Sequence, residues 1–327
     1  MDLDVVFLGT AASMPTPQRS PAALLVRRGG ERLLFDCAEG TQRQLLRSSV
    51  GLPELEEIFL THYHADHFLG LPGMLKTFAL RGREVPLTVY GPAGLRDLFG
   101  TLRRIIGRLP YPLTLVEIEP GDRFDRDGYR VEAFRVEHGV SAVGWRLAED
   151  VRPGRFDVTV ADTLGVPSGA ERGLLQRGES VTLPDGRVVT PDEVLGPARP
   201  GRVVVITGDT APSQNVVAAA RGADLLVHES TFGDEEARRA RETLHSTATA
   251  AAEVARDADV AMLALTHLSS RYFGGELVRE ARAVFAETVA PRDFDVVEVP
   301  FAERGTTQLV KGGAVPQRPE PVSSAAQ

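Results

Sequence analysis

The stretch Thr61–His67 reads T-H-Y-H-A-D-H, and it places His62, His64, Asp66 and His67 within six residues. It directly follows a short apolar segment that is predicted to be a strand. Imidazole nitrogens and carboxylate oxygens are the ligands that Zn²⁺ takes in proteins. Three histidines and one aspartate this close together at a strand end predict a metal site rather than a structural histidine cluster.

The spacing within this stretch indicates two ions. In an extended segment residues i and i+2 face the same side, so His62 and His64 can hold one ion. A turn after Ala65 would let Asp66 and His67 point at a second ion. Two ions roughly 3.5–4 Å apart can grip both the attacking and the leaving oxygen of a phosphodiester. The stretch therefore predicts a two-metal hydrolase.

Further polar residues lie just past predicted strands elsewhere in the chain, and each of them could bind a metal. They are His138, Asp209, His228 and His267. In layered α/β folds the residues after strand C-termini gather along one edge, where sites form. We expect these side chains to share a site with the first stretch.

Composition narrows the class of protein. The chain has 327 residues, 43% of them hydrophobic, and a net charge of −8, which argues against a non-specific nucleic-acid coat protein. Cys37 is the only cysteine, so an intramolecular disulfide is excluded and a reducing compartment is expected. No basic and apolar leader and no membrane span is recognised in the sequence. These features predict a soluble cytoplasmic protein.

Predicted strands and helices alternate along the chain, which is typical of α/β layering. The predicted strands are 3–8, 22–27, 32–36, 57–61, 87–90, 113–118, 129–137, 142–147, 203–207, 225–228, 260–266 and 294–299. The predicted helices are 40–49, 69–80, 93–107, 213–222, 245–257 and 275–287. We expect a single domain over residues 1–310, interrupted at about 150–202 by a partly extended arm rich in Gly, Pro and Arg. Residues 311–327 have little to bury and are predicted to be disordered.

The pattern H-x-H-x-D-H resembles the signature of the metallo-β-lactamase fold, in which two β-sheets pack face to face under covering helices. More narrowly, the chain resembles the ribonuclease Z family, endonucleases that trim the 3′ trailer from precursor tRNA. The matching motifs are F-L-G-T at Phe7–Thr10, D-C-A-E-G-T-Q at Asp36–Gln42, H-F-L-G-L-P-G-M-L at His67–Leu75, G-D-T at Gly208–Thr210, H-E-S-T-F at His228–Phe232, H-S-T at His245–Thr247 and T-H-L-S-S-R-Y at Thr266–Tyr272.

The resemblance implies two Zn²⁺ ions per subunit, and Mn²⁺ or another divalent ion stays open. The ligands that it implies are His62, His64 and His138 for one ion, Asp66, His67 and His267 for the other, and Asp209 as the bridge. It also implies that Asp66 accepts a proton from the attacking water. Glu229 and His245 match a pair near the scissile phosphate, where a protonated histidine could act on the leaving 3′-oxygen. The alternative is that His245 caps the helix that starts there.

Two segments depart from the family pattern. Bacterial relatives have P-x-x-x-R-N in the first loop, whereas this chain reads Pro15–Ser20 with Arg19 followed by Ser20. That loop is linked to sensing the tRNA 3′ end, so the treatment of CCA-containing ends is open. The arm resembles the family's tRNA-binding exosite, but Ser168–Ala170 replaces its usual Gly-Pro element.

RNA contacts are expected on the segment Lys76–Arg108, which carries a local net charge of +5 and includes Arg103 and Arg104. A solvated helix face would have the same composition. Arg19 and Arg271 are further candidates for binding the substrate.

Three functions compete. The first is a tRNA 3′ endonuclease, expected to be a homodimer in which the arm of one subunit grips precursor tRNA that the other cleaves. The second is a small-molecule hydrolase of the same fold, such as a phosphodiesterase, an arylsulfatase or a lactonase. The third is a non-catalytic RNA-binding relative, which is expected to have lost metal ligands. The chain retains every implied ligand, and the H-E-S-T and H-S-T motifs favour the first.

Overall fold

The computed structural model of the chain describes residues 1–52 and 55–312. Within these ranges the strands are, in chain order, β1 (Leu3–Gly9), β2 (Ala23–Arg28), β3 (Glu31–Phe35), β4 (Glu57–Phe59), β5 (Leu87–Pro92), β6 (Leu113–Ile118), β7 (Arg123–Arg126), β8 (Tyr129–Arg135), β9 (Val143–Glu149), β10 (Val181–Thr182), β11 (Val188–Val189), β12 (Val203–Ile206), β13 (Leu225–Glu229), β14 (Leu263–Thr266), β15 (Thr288–Val289), β16 (Val296–Glu298) and β17 (Gln308–Val310).

The helices of the same ranges are α1 (Thr41–Arg47), α2 (Ala65–Phe68), α3 (Gly70–Leu80), α4 (Leu95–Ile106), α5 (Val158–Leu164), α6 (Ala170–Gln176), α7 (Pro191–Val194), α8 (Gln214–Ala220), α9 (Ala237–Thr243), α10 (Ala248–Asp257) and α11 (Gly274–Arg282). Polar side chains begin several of them. Ser213 caps α8 by accepting from Val216 N, and Thr247 caps α10 by accepting from Ala250 N.

Two large mixed sheets form the body of the fold. The first has the spatial order β17-β16-β1-β2-β3-β4-β5-β6, and the second has the order β15-β14-β13-β12-β9-β8-β7. Strands β3, β4, β5 and β6 pair in parallel in the first sheet, as do β12, β13, β14 and β15 in the second. Parallel strands end at the same edge of a sheet, so the loops that follow them gather there.

Side chains alternate between the two faces of the first sheet. Phe35, Phe59 and Tyr90 form an aromatic stack, with ring centroids 5.0 and 4.8 Å apart. Phe59 also meets Trp145 of the second sheet edge-on at 5.1 Å, so this face packs against the other sheet. The alternate residues Leu34, Ile58 and Val89 point to the opposite face of the sheet. There they pack with Leu75 of α3 in a buried apolar cluster.

The second sheet is covered in the same way on its outer face. Val205 and Leu226 pack with Val216 of α8, Ala251 of α10 and Leu277 of α11 in one buried cluster. The sequence of layers is therefore helices, sheet, sheet, helices. The predicted α/β class and the predicted two-sheet sandwich are confirmed.

Residues Asp125–Arg130 and Ala148–Arg202 form a separate compact unit, which we call the arm unit. It contains α5, α6, α7 and the hairpin of β10 and β11, none of which was among the predicted elements. Its small apolar core contains Ala161, Val166 and Leu175. The arm segment, which was predicted to be partly extended, thus contains short helices and a hairpin that pack around their own core.

Most other predicted helices and strands are present with bounds close to the predicted ones, and a few short elements are additional. The predicted helix at 69–80 corresponds to α3, whereas α2 precedes it where a turn was predicted, and β17 follows the last predicted strand. The predicted disordered tail lies outside the described residues from residue 313 onward. Among the described residues, no helix has the length and apolar character needed to cross a membrane.

Candidate metal centre

The ends of parallel strands bring the predicted site residues together. His62 lies just past β4, Asp209 just past β12 and His267 directly past β14, while Glu229 is the last residue of β13. Two groups of side chains could each hold a metal ion, His62, His64, His138 and Asp209 in one, and Asp66, His67 and His267 in the other. All seven residues predicted as ligands therefore lie in these two groups.

The first group is built around His64, which is the exposed member. His64 Nδ1 lies 3.0 Å from His62 Nε2 and 3.3 Å from His138 Nε2. Asp209 Oδ2 lies 3.7 Å from His62 Nε2. The three nitrogens and the carboxylate oxygen thus face a common point.

The second group uses the other oxygen of the same aspartate. Asp209 Oδ1 lies 3.3 Å from His67 Nε2 and 3.4 Å from His267 Nε2. Asp66 Oδ2 lies 3.2 Å from His267 Nε2 and 3.8 Å from His67 Nε2. Asp209 therefore stands between the two groups and offers one oxygen to each.

The donor atoms fit a pair of divalent cations. Tetrahedral ligands at roughly 2.0–2.1 Å from zinc are about 3.3 Å from one another, close to most of the separations just given. His67 Nε2 and Asp209 Oδ1 are buried and make no hydrogen bond within the described residues. Buried polar atoms without partners are costly, so their convergence favours a cation between them.

Asp36 anchors the first-sheet side of the centre. Its carboxylate accepts from Thr61 N at 2.8 Å and from Thr61 Oγ1 at 2.9 Å, and it lies 2.7 Å from His67 Nδ1. Thr61 Oγ1 in turn lies 3.0 Å from His62 Nδ1. We call these four residues the Asp36 relay. Because their Nδ1 atoms are engaged, His62 and His67 present Nε2 to the metal groups.

Glu229 anchors the second-sheet side in the same way. Its carboxylate accepts from Thr231 Oγ1 at 2.7 Å and lies 2.7 Å from His245 Nδ1. Thr231 Oγ1 lies 2.9 Å from His267 Nδ1. We call these four residues the Glu229 relay. It orients one histidine of the second metal group, His267, together with His245.

Charge in this pocket follows from burial and from close partners. Burial opposes ionisation of Glu229, but the adjacent His245 outweighs it and lowers the pKa of the carboxyl group. Burial would also lower the pKa of His245, yet Glu229 raises it to about 9. Burial raises and His267 lowers the pKa of Asp66, which comes to about 2. At neutral pH the carboxyl groups of Glu229 and Asp66 are therefore ionised, and His245 is a cationic imidazolium.

His245 does not cap the helix that follows it. The cap of α10 is Thr247, and the His245 ring instead stacks on His267 with centroids 5.6 Å apart. Asp209, His245 and His267 form a third group that could hold a cation. His245 therefore lies at the centre itself, within reach of anything bound there.

His228 was expected to share this site, and the structure corrects that expectation. It is fully buried, its Nδ1 lies 2.8 Å from Glu229 O, and it belongs to none of the metal-capable groups. Neighbouring residues of a strand point to opposite faces, so the position that directs Glu229 to the centre directs His228 away from it.

The arginines predicted to bind substrate have different surroundings. Arg19 Nη1 donates to Thr10 Oγ1 at 2.6 Å and to Pro291 O at 2.8 Å, and Arg271 pairs with Glu236 at 3.1 Å. Arg103 and Arg104 are exposed in the last turn of α4, and Arg103 lines a groove with Phe99.

Sequence reasoning assigned no role to Asp36, Thr61 or Thr231. Each was nonetheless part of a quoted motif, and Asp36 directly follows strand β3. Its φ of +56° is uncommon for a residue other than glycine and is better tolerated by aspartate and asparagine than by most residues. One signal could have identified Asp36: it is an acidic residue directly after β3, and β3 runs parallel to β4, the strand that precedes the metal-binding stretch.

Comparisons with known proteins agree with this geometry. The model of the metallo-beta-lactamase superfamily matches residues 16–267. The chain is 47% identical to a ribonuclease Z of Haloferax volcanii over 93% of this chain and 97% of that one. It is 44% identical to a ribonuclease Z of Methanosarcina acetivorans over 91% of this chain and 99% of that one.

The comparison with solved structures also finds a protein of this kind. The crystal structure of human tRNase Z, short form, aligns with a TM-score of 0.67 and 29% identity, covering 91% of this chain and 99% of that chain. The resemblance drawn from the sequence motifs is thereby confirmed. The chain belongs to the metallo-beta-lactamase superfamily and, within it, to the ribonuclease Z family.

Proposed function

We propose that the protein is a zinc-dependent endoribonuclease that removes the 3′ trailer from precursor tRNA and leaves a 3′-hydroxyl on the tRNA. One observation carries this proposal: Asp209 links the two metal-capable groups, and the Glu229–His245 pair lies beside them. A two-metal centre suits phosphodiester hydrolysis, and the adjacent imidazolium suits a strongly basic leaving group. The relatives named ribonuclease Z supply the tRNA substrate.

The residues of the chain divide the proton transfers between them. Two bound zinc ions would supply an activated water and neutralise charge on the phosphate oxygens. The Asp66 carboxylate accepts the proton of the attacking water as the new P–O bond forms. His245 holds a proton on Nε2, because its Nδ1 faces Glu229, and gives it to the ribose 3′-oxygen as the P–O3′ bond breaks. The trailer leaves with a 5′-phosphate.

Asp66 and His245 are suitably placed for opposite roles. His267 contacts both, since its Nε2 lies 3.2 Å from Asp66 Oδ2 and its ring stacks on the His245 ring. A proton acceptor and a proton donor flanking one ligand can act on the two apical oxygens of an in-line displacement. Their contacts with two different parts of the His267 ring, its Nε2 atom and its face, support assigning the entering oxygen to Asp66 and the leaving oxygen to His245.

A basic face supports RNA as the substrate. Arg103, Arg104 and Arg108 are exposed and make no ion pair within the described residues, so their charge is available to phosphates. Contacts of this kind release counterions. Binding should therefore weaken with salt at a log–log slope of roughly −0.7 to −0.9 per phosphate contacted. A change of Arg103→Ala and Arg104→Ala should make the slope less steep, and an unchanged slope would exclude this face as the RNA contact.

The remaining features of the family stay proposals for this chain. We place tRNA docking on the arm unit, where Gly169 stands before α6 with φ of +119° in the altered Gly-Pro element. We also propose a homodimer, in which each arm grips the tRNA cleaved by the other subunit, and a cytoplasmic location. Light scattering with and without precursor tRNA tests the dimer directly.

One assay separates endonuclease from small-molecule hydrolase. The purified protein is incubated with a precursor tRNA and, in parallel, with bis(p-nitrophenyl) phosphate, and Asp66→Ala serves as the matched inactive variant. We expect one cut at the tRNA 3′ boundary and loss of both activities in Asp66→Ala with the fold unchanged. Cleavage of the ester but never of the tRNA would identify a small-molecule phosphodiesterase instead.

Metal identity needs its own measurement. Histidine-rich ligation favours Zn²⁺, but metal availability also decides which ion is bound. Elemental analysis of protein purified without added metal should find two zinc ions per chain. Finding manganese, or one ion per chain, would overturn the assignment of the cofactor while leaving the ligand groups in place.

A further inference from the structure

Asp293 lies outside the metal centre and joins three separate parts of the chain. Its Oδ1 accepts from Thr10 Oγ1 at 2.8 Å. Its Oδ2 accepts from Ser20 N at 2.6 Å and from Gln44 Nε2 at 2.9 Å. One half-buried carboxylate thus ties the end of β1, the end of the loop that follows it, and α1 together.

Arg19 completes this cluster from within the loop. Its Nη1 donates to Thr10 Oγ1 at 2.6 Å, and to Pro291 O at 2.8 Å. The loop is closed on itself as well, since Thr16 N donates to Arg19 O at 2.8 Å. The arrangement resembles the two relays, because a carboxylate again accepts from a threonine hydroxyl, which here accepts in turn from the guanidinium of Arg19. Here the chain of hydrogen bonds ends on Arg19, a residue of the loop itself, so it fixes the position of the loop.

The loop held in this way borders the metal centre. Ala12 N donates to Leu268 O at 3.0 Å, and Leu268 N donates to Thr10 O at 2.9 Å. Leu268 directly follows His267, a member of the second metal group. The tip of the loop is open to solvent, and Met14 there is 60% exposed. A displacement of the loop would therefore disturb the backbone that directly follows His267.

We propose that Asp293 is a positioning residue that fixes residues 11–20 beside the metal centre, where the RNA chain is held for cleavage. The proposal rests on the proposed function for the identity of the substrate. It assigns Arg19 to the support of residues 11–20 rather than to contact with RNA, since both hydrogen bonds of its Nη1 are made inside the protein.

The test compares two neighbouring buried carboxylates. Asp293→Asn replaces one of the two accepting oxygens by an NH2 donor with almost no change of volume, so either Thr10 Oγ1 or the pair Ser20 N and Gln44 Nε2 loses its acceptor. Asp295→Asn is the matched control, because the Asp295 carboxylate accepts from Arg292 N and Gly312 N at 2.9 Å and makes no hydrogen bond to residues 11–20 in the described part of the chain. Both variants are assayed on precursor tRNA and on bis(p-nitrophenyl) phosphate, and hydrogen exchange is followed at residues 11–20.

We expect kcat/KM for precursor tRNA to fall between about tenfold and a hundredfold in Asp293→Asn, mainly through KM. Its ester cleavage and metal content should stay at wild-type values, and amides of residues 11–20 should exchange faster. Asp295→Asn should show none of these changes. Equal losses on both substrates, or the same behaviour in the two variants, would show that Asp293 is only a stabilising residue and overturn the proposal.

A second variant covers the case in which Asp293→Asn does not fold. Thr10→Val removes the hydroxyl that links Asp293 to Arg19, and it should give a smaller loss of the same selectivity, which Thr10→Ser should restore. Failure of the proposed function is distinguishable, because a wild-type protein that never cuts precursor tRNA would still reveal through hydrogen exchange whether Asp293 fixes the loop.

Discussion

The Asp36 relay and the Glu229 relay have the same construction on opposite sheets, but their end points differ. In each, a buried carboxylate accepts from a threonine hydroxyl at 2.9 or 2.7 Å, and that hydroxyl meets the Nδ1 atom of a histidine in a metal-capable group. Each carboxylate also meets a second histidine at 2.7 Å. The second histidine is His67 on one side, which belongs to a metal group, and His245 on the other.

The difference separates holding metal from moving protons. Both histidines of the Asp36 relay aim Nε2 at metal groups, so we expect its loss to act on every reaction of the centre. The Glu229 relay divides its function, because His267 belongs to a metal group whereas His245 carries a proton beside it. The effect of its loss on the cleavage rate should therefore depend on how much the leaving group needs that proton.

The largest expected effect is the loss of His245. In His245→Asn the amide nitrogen can still meet Glu229, but no proton can be delivered to the leaving oxygen. Cleavage of precursor tRNA should fall by about 10²–10⁴-fold, the usual contribution of general acid catalysis. Cleavage of bis(p-nitrophenyl) phosphate, whose leaving group is weakly basic, should change little.

Metal content is the control for that variant. If His245 were instead a ligand in the third group with Asp209 and His267, then His245→Asn would lose metal. Both substrates would also slow together. That outcome would remove the distinction between the two relays.

Asp36→Asn should have the next largest effect, and it should act on both substrates alike. Asparagine tolerates the positive φ of this position, so the backbone is preserved while one of the two oxygens that serve Thr61 and His67 is replaced by an NH2 donor. Affinity for zinc should fall about 10–100-fold, as is typical when the partner of a metal-bound histidine is removed. Competition with a chromophoric chelator measures this, and excess zinc should restore much of the activity. An unchanged affinity would mean that Asp36 only supports the fold.

The threonines should give smaller and separable effects. Thr61→Val removes the partner of His62, which lies in the first metal group, and Thr231→Val removes the partner of His267, in the second. Loss of one such hydrogen bond costs about 1 kcal/mol, or roughly fivefold in affinity. Stepwise zinc titration should show one weakened ion in each variant, a different one in each, with Ser restoring both. Identical titrations would contradict separate relays.

The sequence predicted the centre better than its supports, for a physical reason. His62, His64, Asp66 and His67 are close in the chain, and metal chemistry demands their side-chain types. The relays join residues far apart, such as Asp36 with His67 and Thr231 with His267, whose contacts depend on which strands pair. Only the pair of Glu229 and His245 was predicted, from the family resemblance. Strand ends alone could not decide this, and they wrongly included His228.

The arm unit was hard to predict for the opposite reason. Helices α5 and α6 are only seven residues each, and α7 only four, so their apolar periodicity is too short to distinguish from loop. Their stability comes from the small core around Leu175 rather than from helix propensity. The long predicted helices at α4 and α10, by contrast, agree with the structure to within a few residues.

The smallest expected effect concerns pH, and it separates Asp293 from the two relays. Glu229 has a cationic imidazole beside it, which lowers its pKa, whereas burial raises the pKa of Asp293 to about 6 despite the charge of Arg19. A carboxyl group with a raised pKa favours the folded state while both states are protonated, below about pH 4. That contribution is lost as pH rises through about 6.

The unfolding midpoint of the wild type, relative to Asp293→Asn, should therefore decline between pH 4 and pH 6 by a few degrees and stay level above that. Using the difference between the two proteins cancels the titration of the metal centre, which they share. The charged groups near Asp293 are Arg19, Arg292 and Asp295, and Asp295→Asn provides the control in which the decline persists. A difference that rises with pH would mean that the donors from Thr10, Ser20 and Gln44 outweigh burial, so that Asp293 would be held ionised as Glu229 is.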